Sequence, residues 1–155
     1  MKLSRMVLVS TAGWFVLAGM PLLADVNEQR EKLFGRWQLA EESTHAVESV
    51  WTLERKGDSV RVTYSEGARQ RLIFECALTG RDCEATDEGK RASVSLWFNG
   101  PALVELETKG SEVVKRVFVV SENGSALQVE TIPVVPEGKP QKAHFKRVAP
   151  VSVAK

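Results

Sequence analysis

Short segments in which apolar and polar residues alternate follow one another from residue 35 to residue 148. In one of them Val60, Val62 and Tyr64 share a face, while Arg61 lies on the other. A period of two predicts β-strands with one buried face, because successive side chains of a strand point to opposite sides of the sheet. Turn sequences that contain glycine separate most of these segments at spacings of roughly 8–12 residues, as in sandwiches and barrels.

This order predicts an all-β fold in which eight to ten antiparallel strands form an up-and-down meander. Hairpin connections throughout favour the meander over a Greek key, and we expect it to close into a barrel. The one segment with helical periodicity is residues 26–34, where Val26, Arg30, Leu33 and Phe34 fall on one side. A short N-terminal helix is therefore expected before the first strand.

Three segments interrupt or end the alternation. Residues 84–91 (EATDEGKR) are polar and are predicted to form a loop at one barrel mouth. Residues 133–140 contain three prolines, which cannot donate to a strand ladder, and predict a loose connection. Residues 141–148 are the expected last strand, and residues 149–155 an expected loose tail.

The first 24 residues have the composition of an export signal. Lys2 and Arg5 precede an almost continuously apolar stretch from residue 6 to residue 18, and small residues follow up to Ala24. This order is typical of a secretory signal peptide, so we predict cleavage after Ala24 and a secreted or periplasmic protein. The apolar stretch is shorter than the roughly 20 residues that span a bilayer, which disfavours a membrane anchor.

The chain expected after cleavage, residues 25–155, has the length of one domain, of which residues 25–148 would form the barrel. Loss of Lys2 and Arg5 leaves 19 of the 21 basic residues against 20 acidic ones, a net charge near −1. Nucleic-acid binding requires a concentrated basic face, which this sequence does not predict, so we do not expect a nucleic-acid partner. The sequence has no second long apolar run, so no transmembrane segment is expected after cleavage.

Two cysteines, Cys76 and Cys83, flank six residues that include a glycine. In an exported protein an isolated pair predicts a disulfide. Redox pairs usually have two intervening residues, and no His or Cys neighbours complete a metal site.

The segment Gly35-Arg36-Trp37, after a short helix and before a meander, resembles the beginning of a lipocalin barrel. The order of GRW, SVWTLERKGDSVRVTY, KGSEVVKRVFVVSENGSALQVE and PEGKPQKAHFKR is similar to small secreted bacterial lipocalin-like proteins of the calycin type, mostly of unassigned function. The resemblance implies that Gly35 and Trp37 are structural and that Arg147 or Lys146 packs over the indole ring. It also implies a lumen for a small apolar or amphipathic ligand.

The predicted inward face supplies candidate lining residues for such a ligand. A barrel of about eight strands is wide enough either to be filled by its own side chains or to hold one small molecule. A shift of one residue in register would turn each strand's other face inward. Trp97 would then line the lumen with Ser93 and Ser95 instead of forming an outer contact surface. The tentative lining residues are Tyr64, Phe74, Leu96, Phe98 and Val117.

Residues that could carry catalysis are sparse. His45 and His144 could hold a metal or haem with Glu41 or Glu42 if they met at one mouth, but their surroundings are typical of solvent-exposed histidines. No nucleophile-elbow motif and no glycine-rich phosphate loop is present in the sequence. We therefore predict no enzyme, no cofactor and no metal site.

Two functions remain as the main hypotheses. The first is an exported lipocalin-like binding protein for a small apolar or amphipathic ligand. The alternative is a cell-envelope protein-interaction module, or a protease-inhibitor-like barrel without a cavity, whose protein partner would contact residues 25–34 or residues 133–140. An enzyme is a third hypothesis, which requires both histidines and an acidic residue in one cavity.

Overall fold

The computed structural model of the protein describes residues 22–40 and 47–149. In these residues one helix precedes ten strands, and the strands follow their sequence order around a closed antiparallel barrel. The predicted meander, its closure and its short helix are thus confirmed. The elements are α1 (Leu22–Lys32), β1 (Gly35–Leu39), β2 (Ser49–Lys56), β3 (Ser59–Glu66), β4 (Arg69–Ala77), β5 (Asp82–Asp87), β6 (Lys90–Asn99), β7 (Ala102–Lys109), β8 (Glu112–Val120), β9 (Ala126–Val135) and β10 (Gln141–Val148).

The helix differs in its bounds from the prediction. It begins at Leu22, before the expected Val26, and ends at Lys32. It therefore crosses Ala24, the residue after which we predict cleavage. Most of the predicted signal peptide, residues 1–21, and residues 150–155 of the predicted tail lie outside the described residues.

The loop prediction for residues 84–91 is wrong. This segment contains most of β5, a tight turn, and the start of β6. The alternation of buried and exposed residues is present but hard to recognise in the sequence. The buried residue between exposed Glu84 and Thr86 is Ala85, which is 5% exposed and has only a small apolar side chain. The connection predicted for residues 133–140 is also shorter than expected, since β9 continues through Pro133 to Val135, beside a register shift in β8.

The inward face of β8 is the opposite of the predicted one. Phe118 is fully buried, and Arg116 beside it contacts buried carboxylates of β7. Val117 alternates with both and therefore lies on the outer face, as does Val119, which is 38% exposed. The prediction that Val117 lines the lumen is therefore wrong. Both faces of β8 carry apolar residues, so the sequence pattern does not distinguish them, and the inward face is the one with Phe118 and the buried ion pairs of Arg116.

The barrel has one weak seam, between β4 and β5. Only three residue pairs join these strands, the last of them Phe74 with Ala85. The predicted disulfide between Cys76 and Cys83 is present, with the two Cα atoms 5.6 Å apart. In the same register these cysteines are the next inward-facing pair after Phe74 and Ala85. A covalent bond thus continues the seam where the ladder ends.

The alternating hairpins define two ends of the barrel. At one end, called the helix end, α1 packs across the strand turns: Arg30 donates to the carbonyl of Gly100 at 2.8 Å, and Lys32 donates to that of Glu122 at 2.9 Å. The opposite end, called the mouth, carries the turns at Gly67, at residues 88–89 and at residues 110–111, and the connection at residues 136–140. Gly67 has a φ of +57°, the left-handed conformation that a two-residue hairpin turn requires. In the described part of the chain, no helix is long and apolar enough to cross a membrane.

Candidate ligand cavity

Side chains close the helix end of the lumen completely. Leu33 and Trp37 are both 0% exposed, and the indole Nε1 of Trp37 donates to the carbonyl of Leu33 at 2.9 Å. Arg147 covers the outer side of the ring, with its guanidinium carbon 4.1 Å from the ring centroid. The same guanidinium donates to the carbonyls of Gly124 at 2.8 Å and Phe34 at 2.9 Å. A stacked cation with several hydrogen bonds therefore ties the last strand, the helix and the first strand together.

Gly35 makes this arrangement sterically possible. A Cβ atom at this position would lie 2.5 Å from Nη1 of Arg147. Its φ of +143° also lies in a region that side chains disfavour. The glycine of the Gly35-Arg36-Trp37 segment is thus required both by the backbone and by the guanidinium above it.

A cavity of about 270 Å³ reaches into the barrel at the opposite end. Trp51 and Tyr64 form one wall as a stacked pair, with ring centroids 4.5 Å apart, and Trp51 meets Phe118 edge-on at 5.1 Å. Two stacked aromatic rings beside polar groups are typical of sites for small amphipathic molecules. The lining residues are Trp51, Tyr64, Arg116, Val129, Thr131, Gln141, Lys142, Ala143 and Phe145.

The hydroxyl of Tyr64 is the neutral polar group on the aromatic wall. It donates to Oε1 of Glu66 at 3.0 Å. Burial raises the pKa of Tyr64 above its ordinary value, so the phenol keeps its proton at neutral pH and remains a donor. Tyr64 thus presents an apolar ring to the cavity and anchors its hydroxyl at the mouth.

Arg116 is the charged group inside the barrel. Its guanidinium lies 5.8 Å from the Trp51 ring centroid and contacts Glu105 and Glu107 through the same nitrogen, with Oε2 of Glu107 at 2.5 Å. Glu105 is 0% exposed and Glu107 is 4% exposed. Burial alone would lower the pKa of Arg116, but the charges of the two glutamates outweigh it and raise that pKa. Arg116 is therefore a permanent cation held by two buried acids.

Glu105 is the more unusual of the two acids. Its Oε2 is buried and has no hydrogen-bond partner among the described residues. Burial raises the pKa of the Glu105 carboxyl, and the nearby Arg116 only partly opposes this effect. A buried acceptor without a donor is rare in folded proteins and marks a group whose environment is incomplete.

The structure distributes the predicted lining residues over four environments. Tyr64 lines the cavity. Phe74 and Leu96 point inward but are 3% and 0% exposed within the packed core, and they are not among the lining residues. Phe98 lies at the helix end, where the guanidinium carbon of Arg30 is 4.6 Å from its ring centroid. Val117 lies outside, as described above.

Sequence reasoning missed the buried charges. Glu105 and Glu107 share one face of β7, and the hairpin register places Glu105 directly opposite Arg116 on β8. Counting back from the turn at residues 110–111 would have paired these positions. Charged residues on strands are mostly solvated, however, and only the close contact of all three residues identifies them as an interior cluster.

Only one of the two histidines, His144, lies in the described residues. His144 is exposed on the outer face of β10 beside inward-facing Ala143 and Phe145. His45 lies outside the described residues, as do Glu41 and Glu42. No group of three or more His, Cys, Asp or Glu side chains that could hold a metal ion occurs in the described part.

A wider recess of about 710 Å³ lies on the outside at the helix end, between Arg36, Ser125 and Ala149. Its walls are turns and strand ends, whereas the walls of the smaller cavity are mostly inward-facing side chains of the barrel. We therefore place the candidate site in the smaller cavity at the mouth.

A closed ten-stranded meander with one sealed end and an internal cavity defines an up-and-down β-barrel. The sequence matches no protein-family model, and a search of curated proteins finds no match. The fold, however, is similar to that of solved fatty-acid-binding barrels.

The structure titled REP1-NXSQ fatty acid transporter has a TM-score of 0.63 and 15% identity, over 77% of this chain and 98% of that one. Fatty-acid-binding protein 1 of Echinococcus granulosus has a TM-score of 0.63 and 10% identity, over 77% and 99%. A Schistosoma mansoni fatty-acid-binding protein in complex with arachidonic acid has a TM-score of 0.61 and 13% identity, over 78% and 99%. At these identities the likeness establishes the fold.

Proposed function

We propose that this chain is an exported, lipocalin-like binding protein that holds a small apolar or amphipathic molecule in its lumen, and that it is not an enzyme. One observation carries the proposal: the cavity at the mouth is lined by the Trp51–Tyr64 pair and by inward-facing residues of β8, β9 and β10. Its volume, about 270 Å³, lies just below the roughly 300–1,000 Å³ typical of small-molecule sites, so the ligand is small or has a short chain.

Two further features support a container. The helix end is sealed, so the cavity has a floor. The three structural neighbours described above are titled as fatty-acid-binding or fatty-acid-transporting proteins, which supports a binding role for the same architecture. Export rests on the N-terminal sequence pattern.

A neutral fluorescent probe tests the proposal directly. N-phenyl-1-naphthylamine should bind saturably at one site per chain, with a rise in its fluorescence and a change in Trp51 emission. Ala143→Trp places a bulky ring in the cavity wall and should abolish this binding. His144→Trp is the matched control, because the adjacent side chain on the same strand points outward and is exposed. Equal binding by the two variants, or no saturable binding by the wild type, would contradict a lumenal site.

A protein-interaction module is the second candidate function. The observation that favours it is an outer apolar row across β6, β7 and β8, in which half-buried Trp97 and Val117 flank their register partner Val104, itself 2% exposed. The helix, in contrast, already binds its own barrel through Arg30 and Lys32, which weighs against insertion of residues 25–34 into a partner. Pull-down from envelope extract with wild type and Trp97→Ser distinguishes this function, because only a surface-bound partner would be lost with the tryptophan.

A further inference from the structure

The buried charges beside the cavity do not balance. Arg116, which lines the cavity, is held by two acids, Glu105 and Glu107, whose side chains are 0% and 5% exposed. With both acids ionised this cluster carries one net negative charge. Oε2 of Glu105 accepts no hydrogen bond from any described residue. Both acids share one nitrogen of Arg116, Nη1, and the buried atom that lacks a partner among the described residues is an acceptor.

The mouth carries a second group of linked charges with the same excess. Lys109 contacts Asp87 and lies 4.0 Å from Glu88, while Arg71 bridges Glu88 and, at 3.3 Å, Glu66. The charge of Glu107 also acts on Lys109, so the rim group and the buried cluster are electrostatically continuous. With all five acids ionised against three cations, the net charge is −2. The linked groups are Glu66, Asp87, Glu88, Glu105, Glu107, Arg71, Lys109 and Arg116.

One more cation lines the cavity but does not reverse this balance. Lys142 is 56% exposed, and its Nζ lies 3.8 Å from Oε1 of Glu130 on the neighbouring strand. Its charge is both solvated and paired, and such exposed pairs are strongly screened. The buried groups, which solvent screens little, determine the sign of the field inside the lumen.

We infer that the lumen prefers an amphipathic ligand whose head group is a protonated amine over the same chain with a carboxylate head group. This inference rests on the proposed binding function and specifies its ligand class. An ammonium group is a cation with three hydrogen-bond donors, and in the cavity beside Arg116 it would compensate the excess negative charge of the two acids. A carboxylate would add a third acid to a cluster whose only cation is already shared by two.

Three ten-carbon probes that differ only in the head group test the inference. Decylamine and decanoate, each below its micelle concentration, and decanol, below its solubility limit, compete with bound N-phenyl-1-naphthylamine at pH 7 and low salt. Decylamine is expected to displace the probe at about tenfold lower concentration than decanoate, with decanol between them. Decanoate that displaces the probe as well as or better than decylamine overturns the amine preference and leaves the container intact. Failure of all three, together with no binding of the probe, overturns both proposals.

A matched pair of variants connects the preference to the buried acids. Glu105→Gln combined with Glu107→Gln keeps the shape of both side chains and removes both charges, and it should reduce the preference for decylamine over decanoate by about tenfold or more. Decanol affinity reports whether the cavity is intact and should stay unchanged. Glu75→Gln is the control, because this acid lies outside beside Arg61, 44% exposed, and should leave all three affinities unchanged. An unchanged preference in the double variant, with decanol still bound, would refute the assignment.

Discussion

The guanidinium of Arg147 lies over the Trp37 ring at 4.1 Å and seals the helix end of the barrel. The two residues belong to the last and first strands, which pair directly, Trp37 opposite Arg147. The contact therefore lies where the first and last strands pair and close the barrel. Because the cation also donates to carbonyls of the helix turn and of the β8–β9 turn, one side chain connects three parts of the fold.

Arg147→Ala should lower the free energy of unfolding by about 2 kcal/mol, because it removes the cation over the indole and several charged hydrogen bonds. Arg147→Lys should lose roughly half as much, since lysine keeps the charge but not the planar fork. Urea unfolding followed by tryptophan fluorescence measures both. Arg91→Ala removes an exposed arginine paired with Glu84 and should change stability by less than about 0.5 kcal/mol. Equal midpoints for Arg147→Ala and Arg91→Ala would contradict a sealing role.

Gly35→Ala should cost about 2–3 kcal/mol, because the new methyl group both strains the backbone and displaces Arg147. Gly57→Ala is the control that measures backbone strain without a steric clash. Gly57 has a φ of +61°, and no atom lies within 4 Å of the position that a Cβ atom would take there. That change should cost about 1 kcal/mol. In the background of Arg147→Ala, the extra cost of Gly35→Ala should largely disappear. Strictly additive losses in this double-mutant cycle would show that the two residues do not interact.

The stability of the wild type should depend on pH through Glu105. Its folded pKa is raised by burial above the unfolded value of about 4.3, so the folded state holds this proton more tightly. The resulting stability is fully present below about pH 4.3 and is lost as pH rises through the folded pKa, by up to about 1.4 kcal/mol per pH unit. Glu105→Gln has no carboxyl to ionise at this position and does not lose this stability. Its free energy of unfolding relative to that of the wild type should therefore rise as pH increases from about 4.3 through the folded pKa of Glu105. Urea unfolding from pH 4 to pH 8 measures the difference, and parallel curves for the two proteins would contradict the raised pKa.

Replacement of both disulfide cysteines by alanine should reduce the free energy of unfolding by about 2–3 kcal/mol, the chain-entropy value for a short closed loop. The effect should be local, because only three residue pairs join β4 and β5 beside the bridge. Amide exchange at Gly80, whose N–H donates to the carbonyl of Leu96 at 3.0 Å, should accelerate more than exchange in β3. Reduction of the wild type should reproduce the double variant. Uniform acceleration over all strands would mean that the bridge does not specifically hold this seam.

Much of the fold follows from the sequence, because apolar alternation and turn glycines carry physical information about each strand. In β3 the alternating Val60 and Val62 are both 0% exposed, as expected for the face of a barrel strand that turns inward. The cysteine pair likewise predicts its own bridge. Polar β5 was missed because Ala85 is too small to mark a buried face.

The site was less predictable than the fold, because it depends on contacts between strands. Val117 and Val119 look like a lumenal face until Glu105 is placed opposite Arg116, which turns the charged face of β8 inward. No periodicity within β8 alone contains that information. Tyr64 could be assigned to the inward face from local alternation, but its position at the mouth depends on the stacking partner Trp51.

The fully buried Leu33 and Trp37 close the helix end, so the lumen opens only at the mouth in the described part of the chain. Among the described residues, a molecule that enters past Tyr64 meets no second opening, so it leaves by the way it came. One occupant therefore cannot push another through, and each exchange has to wait for the resident molecule to dissociate. The turnover of cargo would then be governed by a residence time at a single opening, whatever the concentration of competitors outside.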